Sequence, residues 1–86
     1  GVTSTAIGNN STASGETSIA MGFETEAPES ASIAMGYQTT STGGASTAME
    51  FITTASGFGS TSIGYKTTAS GYGSTSIGYR RSNYIW

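Results

Sequence analysis

The 86 residues include no cysteine, no histidine, no leucine and no aspartate. Without cysteine there is no disulfide scaffold and no thiolate metal site. Without histidine the commonest general base and metal ligand is missing. Charge is equally scarce. Only eight side chains are charged, Lys66, Arg80 and Arg81 are the only cations, and the net charge is −2. That balance argues against nucleic acid, which needs several phosphate contacts. No run approaches the roughly 18 consecutive apolar residues that span a membrane. No secretory leader is visible, and Gly1 falls in the middle of a repeating pattern, so the sequence reads as a piece of a longer chain. Leu, Ile, Val and Phe together number 11, about one residue in eight. Such poverty normally signals disorder, but disorder also requires high net charge. The composition fits neither an ordinary globular domain nor an ordinary disordered segment.

What is present is small and repetitive. Ser (15), Thr (15), Gly (13) and Ala (10) make up most of the chain. From Ser4 to Arg80 it divides into eleven heptads without insertion or deletion: STAIGNN, STASGET, SIAMGFE, TEAPESA, SIAMGYQ, TTSTGGA, STAMEFI, TTASGFG, STSIGYK, TTASGYG and STSIGYR. The first slot is always Ser or Thr and the third always Ala or Ser. The fifth is Gly except at Glu29 and Glu50. The fourth slot alternates, so the full period is fourteen. Odd heptads carry Ile7, Met21, Met35, Met49, Ile63 and Ile77 there; even heptads carry Ser14, Pro28, Thr42, Ser56 and Ser70.

A coiled coil needs large apolar residues at two heptad positions with good helix formers between them. Recurrent Gly and Thr are poor in helices, so the sevens are not helical. Short alternating segments punctuated by Gly read as strands and turns. Each heptad then supplies about five residues of strand and a two-residue turn, and two heptads close one coil of an all-β, parallel β-roll or β-solenoid with two short strands per coil. Coils stacked at about 4.8 Å give a rod on the order of 26 Å long.

Strand alternation sends slots one, three and five to one face and slots two and four to the other. The always-small face belongs inside the coil. The even side then turns Thr and Ser to solvent. The odd side presents a column of Ile7, Met21, Met35, Met49, Ile63 and Ile77, flanked by Ile19 and Ile33. A continuous exposed apolar stripe marks an interface. A roll filled with Ala and Ser buries little apolar area, so the expectation is an obligate oligomer whose hydrophobic core lies between chains.

The phased motif reads STAIGNNSTASG (4–15), SIAMGFETEAPE (18–29), SIAMGYQTTSTG (32–43), STAMEFITTASG (46–57) and STSIGYKTTASG (60–71). It resembles the YadA-like head repeats of trimeric autotransporter adhesins over nearly the whole chain. Similar repeats also occur in phage and large-virus fibres. The resemblance implies a left-handed roll, assembly as a homotrimer, and an extracellular place in an adhesive head, either anchored to a bacterial outer membrane through a further C-terminal region or carried on a virion fibre. It also implies an extracellular protein or glycan ligand, with collagen or other matrix proteins admissible, bound multivalently. Departures from the pattern are Thr5, Ile19, Ile33, Thr47, Thr61 and Thr75 where the family often has Val, together with Glu29, Glu50 and Pro28. Coils two to four are therefore expected to be the least regular. Residues 1–80 form the head repeats; 81–86 (RRSNYIW from Arg80 onward) cap the solenoid end or start a further segment.

Several side-chain groups are candidates for function. Phe23, Tyr37, Phe51, Tyr65 and Tyr79 fall one coil apart and should stack as an aromatic edge, either stiffening the turn and covering a subunit seam or lining a groove for an extended ligand. Thr12, Ser14, Thr40, Thr42, Thr54, Ser56, Thr68 and Ser70 resemble the Thr-x-Thr arrays of ice-binding solenoids, an alternative function, although Glu26 and Pro28 interrupt them. A purely structural spacer is the remaining alternative. Lys66, Arg80 and Arg81 form a mildly basic end that reads as solvated surface. Glu24, Glu26 and Glu29 point in different directions, which speaks against a calcium site. GFGS (57–60) and GYGS (71–74) lack the Lys and helix of a phosphate loop. Asn9 and Asn10 open glycosylation sequons, relevant only in a eukaryotic secretory route. No catalytic residue, metal ligand or cofactor is expected: Ser and Thr recur without a base beside them, and so thin a roll has no cavity to exclude water.

Overall fold

The computed structural model describes residues 1–83. The odd heptads form five-residue strands: β1 (Thr5–Asn9), β2 (Ile19–Phe23), β3 (Ile33–Tyr37), β5 (Thr47–Phe51), β7 (Thr61–Tyr65) and β9 (Thr75–Tyr79). These make one six-stranded parallel sheet in which each residue pairs with the residue fourteen positions on. The even heptads supply β4 (Thr40–Ser41), β6 (Thr54–Ala55), β8 (Thr68–Ala69) and, just past the last heptad, β10 (Ser82–Asn83), a four-stranded parallel sheet. The chain is thus a parallel β-solenoid of about six turns, extending 30 × 21 × 10 Å. The long dimension agrees with the stacking expected from fourteen-residue coils.

The even strands are two residues long, not five. Their heptads close in a hydrogen-bonded turn that runs from slot five to the next slot one: Ser18 N–H donates to Gly15 O, Ser32 to Glu29 O, Ser46 to Gly43 O and Ser60 to Gly57 O, at 3.1–3.3 Å. In the first two coils the even side is reduced to single bridges, Thr12 with Glu26 and Glu26 with Thr40. Pro28 has no N–H to donate there. In the second sheet the irregular coils are therefore the first and second, so of the expected coils two to four only coil two departs there, and coils three and four pair regularly through β4 and β6.

Both turns are built on left-handed residues. Every seventh slot has positive φ, from 50° at Ile52 to 69° at Gly59. This aims its N–H at the sixth-slot carbonyl one coil earlier: Glu24 to Asn9 (2.8 Å), Gln38 to Phe23 (2.7 Å), Lys66 to Phe51 (2.9 Å) and Gly73 to Phe58 (2.8 Å). The turns thereby carry the ladder around each corner, and few backbone groups are left to water.

Slots one and three point inward as expected. Ala20, Ala27, Ala34, Ala48, Ala55 and Ala69 are fully buried, as are Ser and Thr at slot one from Ser18 to Ser74. Among the described residues no side chain larger than threonine is fully buried. Serines tie the interior to the turns: Ser18 Oγ donates to Gly15 O and Ser32 Oγ to Glu29 O, both at 2.7 Å, while Ser62 and Thr67 share a hydrogen bond of 2.6 Å across the interior. Slot five departs from strict alternation. Gly15, Gly43 and Gly57 on the even side are buried, but Gly8, Gly22, Gly36 and Gly78 on the odd side are exposed. The odd glycines have φ between 120° and 132°, which turns the chain out of the strand pattern.

Candidate functional site

The odd sheet displays the apolar column in strict register: Ile7, Met21, Met35, Met49, Ile63 and Ile77 are successive pairing partners. The column faces outward. Ile7 and Ile77 remain 58% and 56% exposed, and Met35, Met49 and Ile63 are half-buried by one another and by adjacent slots. Ile19 and Ile33 pair beside the column and are also half-buried. A shallow open groove runs along its middle, lined by Met35, Gly36, Tyr37, Met49, Glu50 and Phe51.

One step further along each odd strand lies the aromatic edge. Phe23, Tyr37, Phe51, Tyr65 and Tyr79 form an uninterrupted stack with centroids 4.9–5.0 Å apart and planes within 7° of parallel. The sequence spacing predicted this ladder. Its faces are occupied by neighbouring rings, so solvent meets the ring edges. Tyr79 is 67% exposed. The next residue in each coil decorates the edge. Gln38 Nε2 donates to Glu24 Oε1 at 2.8 Å, Lys66 Nζ sits 5.5 Å from the Tyr65 centroid, and Arg80 Cζ sits 5.7 Å from that of Tyr79.

A second ladder stands on the opposite edge, which sequence reasoning missed. Phe58 and Tyr72 stack at 5.5 Å, with Tyr72 83% exposed. The Phe58 ring lies on Gly44, where a Cβ would come within 3.2 Å of two ring carbons. The same fourteen-residue spacing that announced the first ladder was available for this one. Trp86 follows Tyr72 by fourteen residues and lies outside the described residues, as do the other residues after Asn83.

On the even side, Thr40, Thr54 and Thr68 are aligned by the second sheet, and Thr12 joins them through Glu26. Ser14, Thr42, Ser56 and Ser70 fall beyond the ends of the two-residue strands. The two-column Thr-x-Thr array expected from the sequence thus has one rank held by strand pairing and a second tied to the next coil by its N–H groups, Thr42 to Ala55 O (3.0 Å), Ser56 to Ala69 O (2.9 Å) and Ser70 to Asn83 O (2.9 Å). Among the described residues no three acidic, histidine or cysteine side chains gather where they would hold a metal ion. What the surface offers is contact chemistry: an apolar face, two aromatic edges and rows of hydroxyls.

A family model described as the YadA head domain repeat matches the chain in two copies, over residues 1–25, 30–49 and 55–80. The stretches it skips, 26–29 and 50–54, contain three of the nine departures from the pattern, Pro28, Glu29 and Glu50. No curated protein and no solved structure matches the chain.

Proposed function

Because this chain belongs to the YadA head domain repeat family, whose members are surface-exposed parts of trimeric adhesins, we propose that residues 1–80 form a homotrimeric adhesive head segment. Three rolls pack their Ile/Met columns together about a common axis. The observation that carries this reading is the contrast between interior and exterior: among the described residues no side chain larger than threonine is fully buried, while Ile7, Met21, Met35, Met49, Ile63 and Ile77 line one outward face. Burial of large apolar side chains is the main favourable term in folding, and here it is available only between chains. The interface residues are Ile7, Ile19, Met21, Ile33, Met35, Met49, Ile63 and Ile77.

In this arrangement the turns remain outside the trimer axis, and repeated shallow sites on three chains bind a protein or glycan ligand weakly one at a time and strongly together. The segment belongs outside the cell, on a bacterial surface or a virion fibre. Sedimentation equilibrium tests the assembly directly. The expected mass is three times the chain mass with no folded monomer on dilution; a folded, monodisperse monomer at micromolar concentration overturns the reading.

A further inference from the structure

We propose that the edge formed by Tyr65, Lys66, Tyr79 and Arg80, with Arg81 beside it, binds the anionic groups of an acidic polysaccharide. The inference rests on the adhesive reading and adds to it the ligand's chemistry and its place on the roll. It replaces the view of these cations as merely solvated surface.

The first observation is charge segregation. All five carboxylates lie between Glu16 and Glu50, and all three cations lie between Lys66 and Arg81. No acidic side chain follows Glu50. The parallel register then concentrates the cations. Tyr65 pairs with Tyr79, so the residues after them, Lys66 and Arg80, stand in adjacent coils of one column, about 4.8 Å apart along the rod. Like charges at neighbouring ladder positions are unfavourable. Earlier in the same column the arrangement is the opposite: Glu24 is matched to an amide donor, Gln38, at 2.8 Å. Among the described residues the Lys66–Arg80 pair has no such match, and an external anion would supply it.

The second observation is how the rings present themselves. Lys66 and Arg80 stand over the rings of Tyr65 and Tyr79, at 5.5 and 5.7 Å, within cation–π range. Both negative faces of Tyr65 are covered by the neighbouring rings of Phe51 and Tyr79, which leaves the Lys66 ammonium at the rim of the stack. What remains toward solvent is electropositive: ring edges, phenol hydroxyls, an ammonium and two guanidinium groups. Such a surface is a short row of donors over the last two coils, Tyr65 with Lys66 and Tyr79 with Arg80, which suits two neighbouring sulfate or carboxylate groups of an extended polymer. Nucleic acid fits less well. Three cations are too few for its phosphate contacts, and Tyr37, Phe51 and Tyr65 have both faces stacked on neighbouring rings, which leaves them none for a base.

The test uses the full chain and three defined polymers: heparin for sulfate, hyaluronan for carboxylate alone, and neutral dextran. Heparin or hyaluronan should bind at 50 mM salt, weaken at least about tenfold at 300 mM as charges are screened, and dextran should not bind. Lys66→Gln/Arg80→Gln/Arg81→Gln should lose at least about tenfold in affinity, whereas Lys66→Arg and Glu24→Gln should retain it. If the triple variant fails to fold by circular dichroism, the single Arg80→Gln variant and the salt titration carry the same comparison. Binding by a folded triple variant equal to that of the original chain overturns the proposal. So does failure to bind either acidic polymer, or tighter binding of a single-stranded oligonucleotide. A chain that adheres to matrix-coated surfaces yet binds neither acidic polymer sinks this inference alone. Because the site is complete in one protomer, polymer binding by a monomeric chain upholds the inference and sinks the trimeric reading.

Discussion

At the scale of single residues, the fold depends on backbone positions that most side chains cannot occupy. In the odd strands a Cβ on Gly8 or Gly22 would lie 1.9 Å from the carbonyl oxygen of the next coil's glycine, and one on Gly64 would lie 2.1 Å from that of Gly78. Glu50 is the exception in this column, with φ pulled to 98° from the 120–132° of the glycines. Backbone held in so sparsely populated a region costs on the order of 1–3 kcal/mol. Glu50→Gly should therefore stabilise the assembly by about 1 kcal/mol or more in urea denaturation, and Gly64→Ala should destabilise it by a larger amount. No stabilisation in the first variant would mean that the glutamate makes a compensating contact. A β-branched residue is the worst choice for a left-handed position, and Ile52 occupies one at φ 50°. Ile52→Asn should raise the melting temperature.

At the scale of elements, each coil is a strand, a turn, a short strand and a turn, and stability comes from repeating them in register. The aromatic ladder is one such repeat. Each stacked pair contributes about 0.5–1.5 kcal/mol beyond area burial. Tyr65, flanked on both sides, should cost more on mutation to Ser than Tyr79. Binding per folded molecule, measured alongside stability, separates the roles: a stability loss with binding intact assigns the ladder to the turn, and the reverse assigns it to the ligand. The interior is the complementary case. Ala34 is fully buried in an interior where no described side chain larger than threonine is fully buried, so Ala34→Leu should destabilise by about 1–3 kcal/mol or more through overpacking. The five-residue strands and the first ladder were legible from spacing. The shortness of the even strands was not, because it follows from the turn hydrogen bonds to slot five, which alternation of side chains does not encode.

At the scale of the whole molecule, the thinness of the roll is the governing fact. A body about 10 Å thick has no room for a core of large side chains, and the Ile/Met column must find its burial elsewhere. Under the trimeric reading Met35→Asp places three carboxylates against an apolar interface, where charge is strongly disfavoured without a partner. We expect this variant to sediment as unfolded monomer, with loss of β-sheet signal. A folded trimer of Met35→Asp would show that the column is not the interface. The same substitution at Thr54, on the opposite face, should leave mass and spectrum unchanged.

The sequence by itself determined the period, the stacking register, the small interior, the outward apolar column and the first aromatic edge. All of these follow from slot identity repeated at a constant spacing, and a parallel solenoid converts spacing directly into neighbourhood. Only the tertiary structure decided where strands end, which way the odd glycines turn, that Phe58 and Tyr72 make a second stack, and that Lys66 and Arg80 stand over tyrosine rings. Those features depend on positive φ at the corners and on which ring face meets which coil. Residue type records that something small or turn-forming is needed there, but not the direction in which the chain leaves.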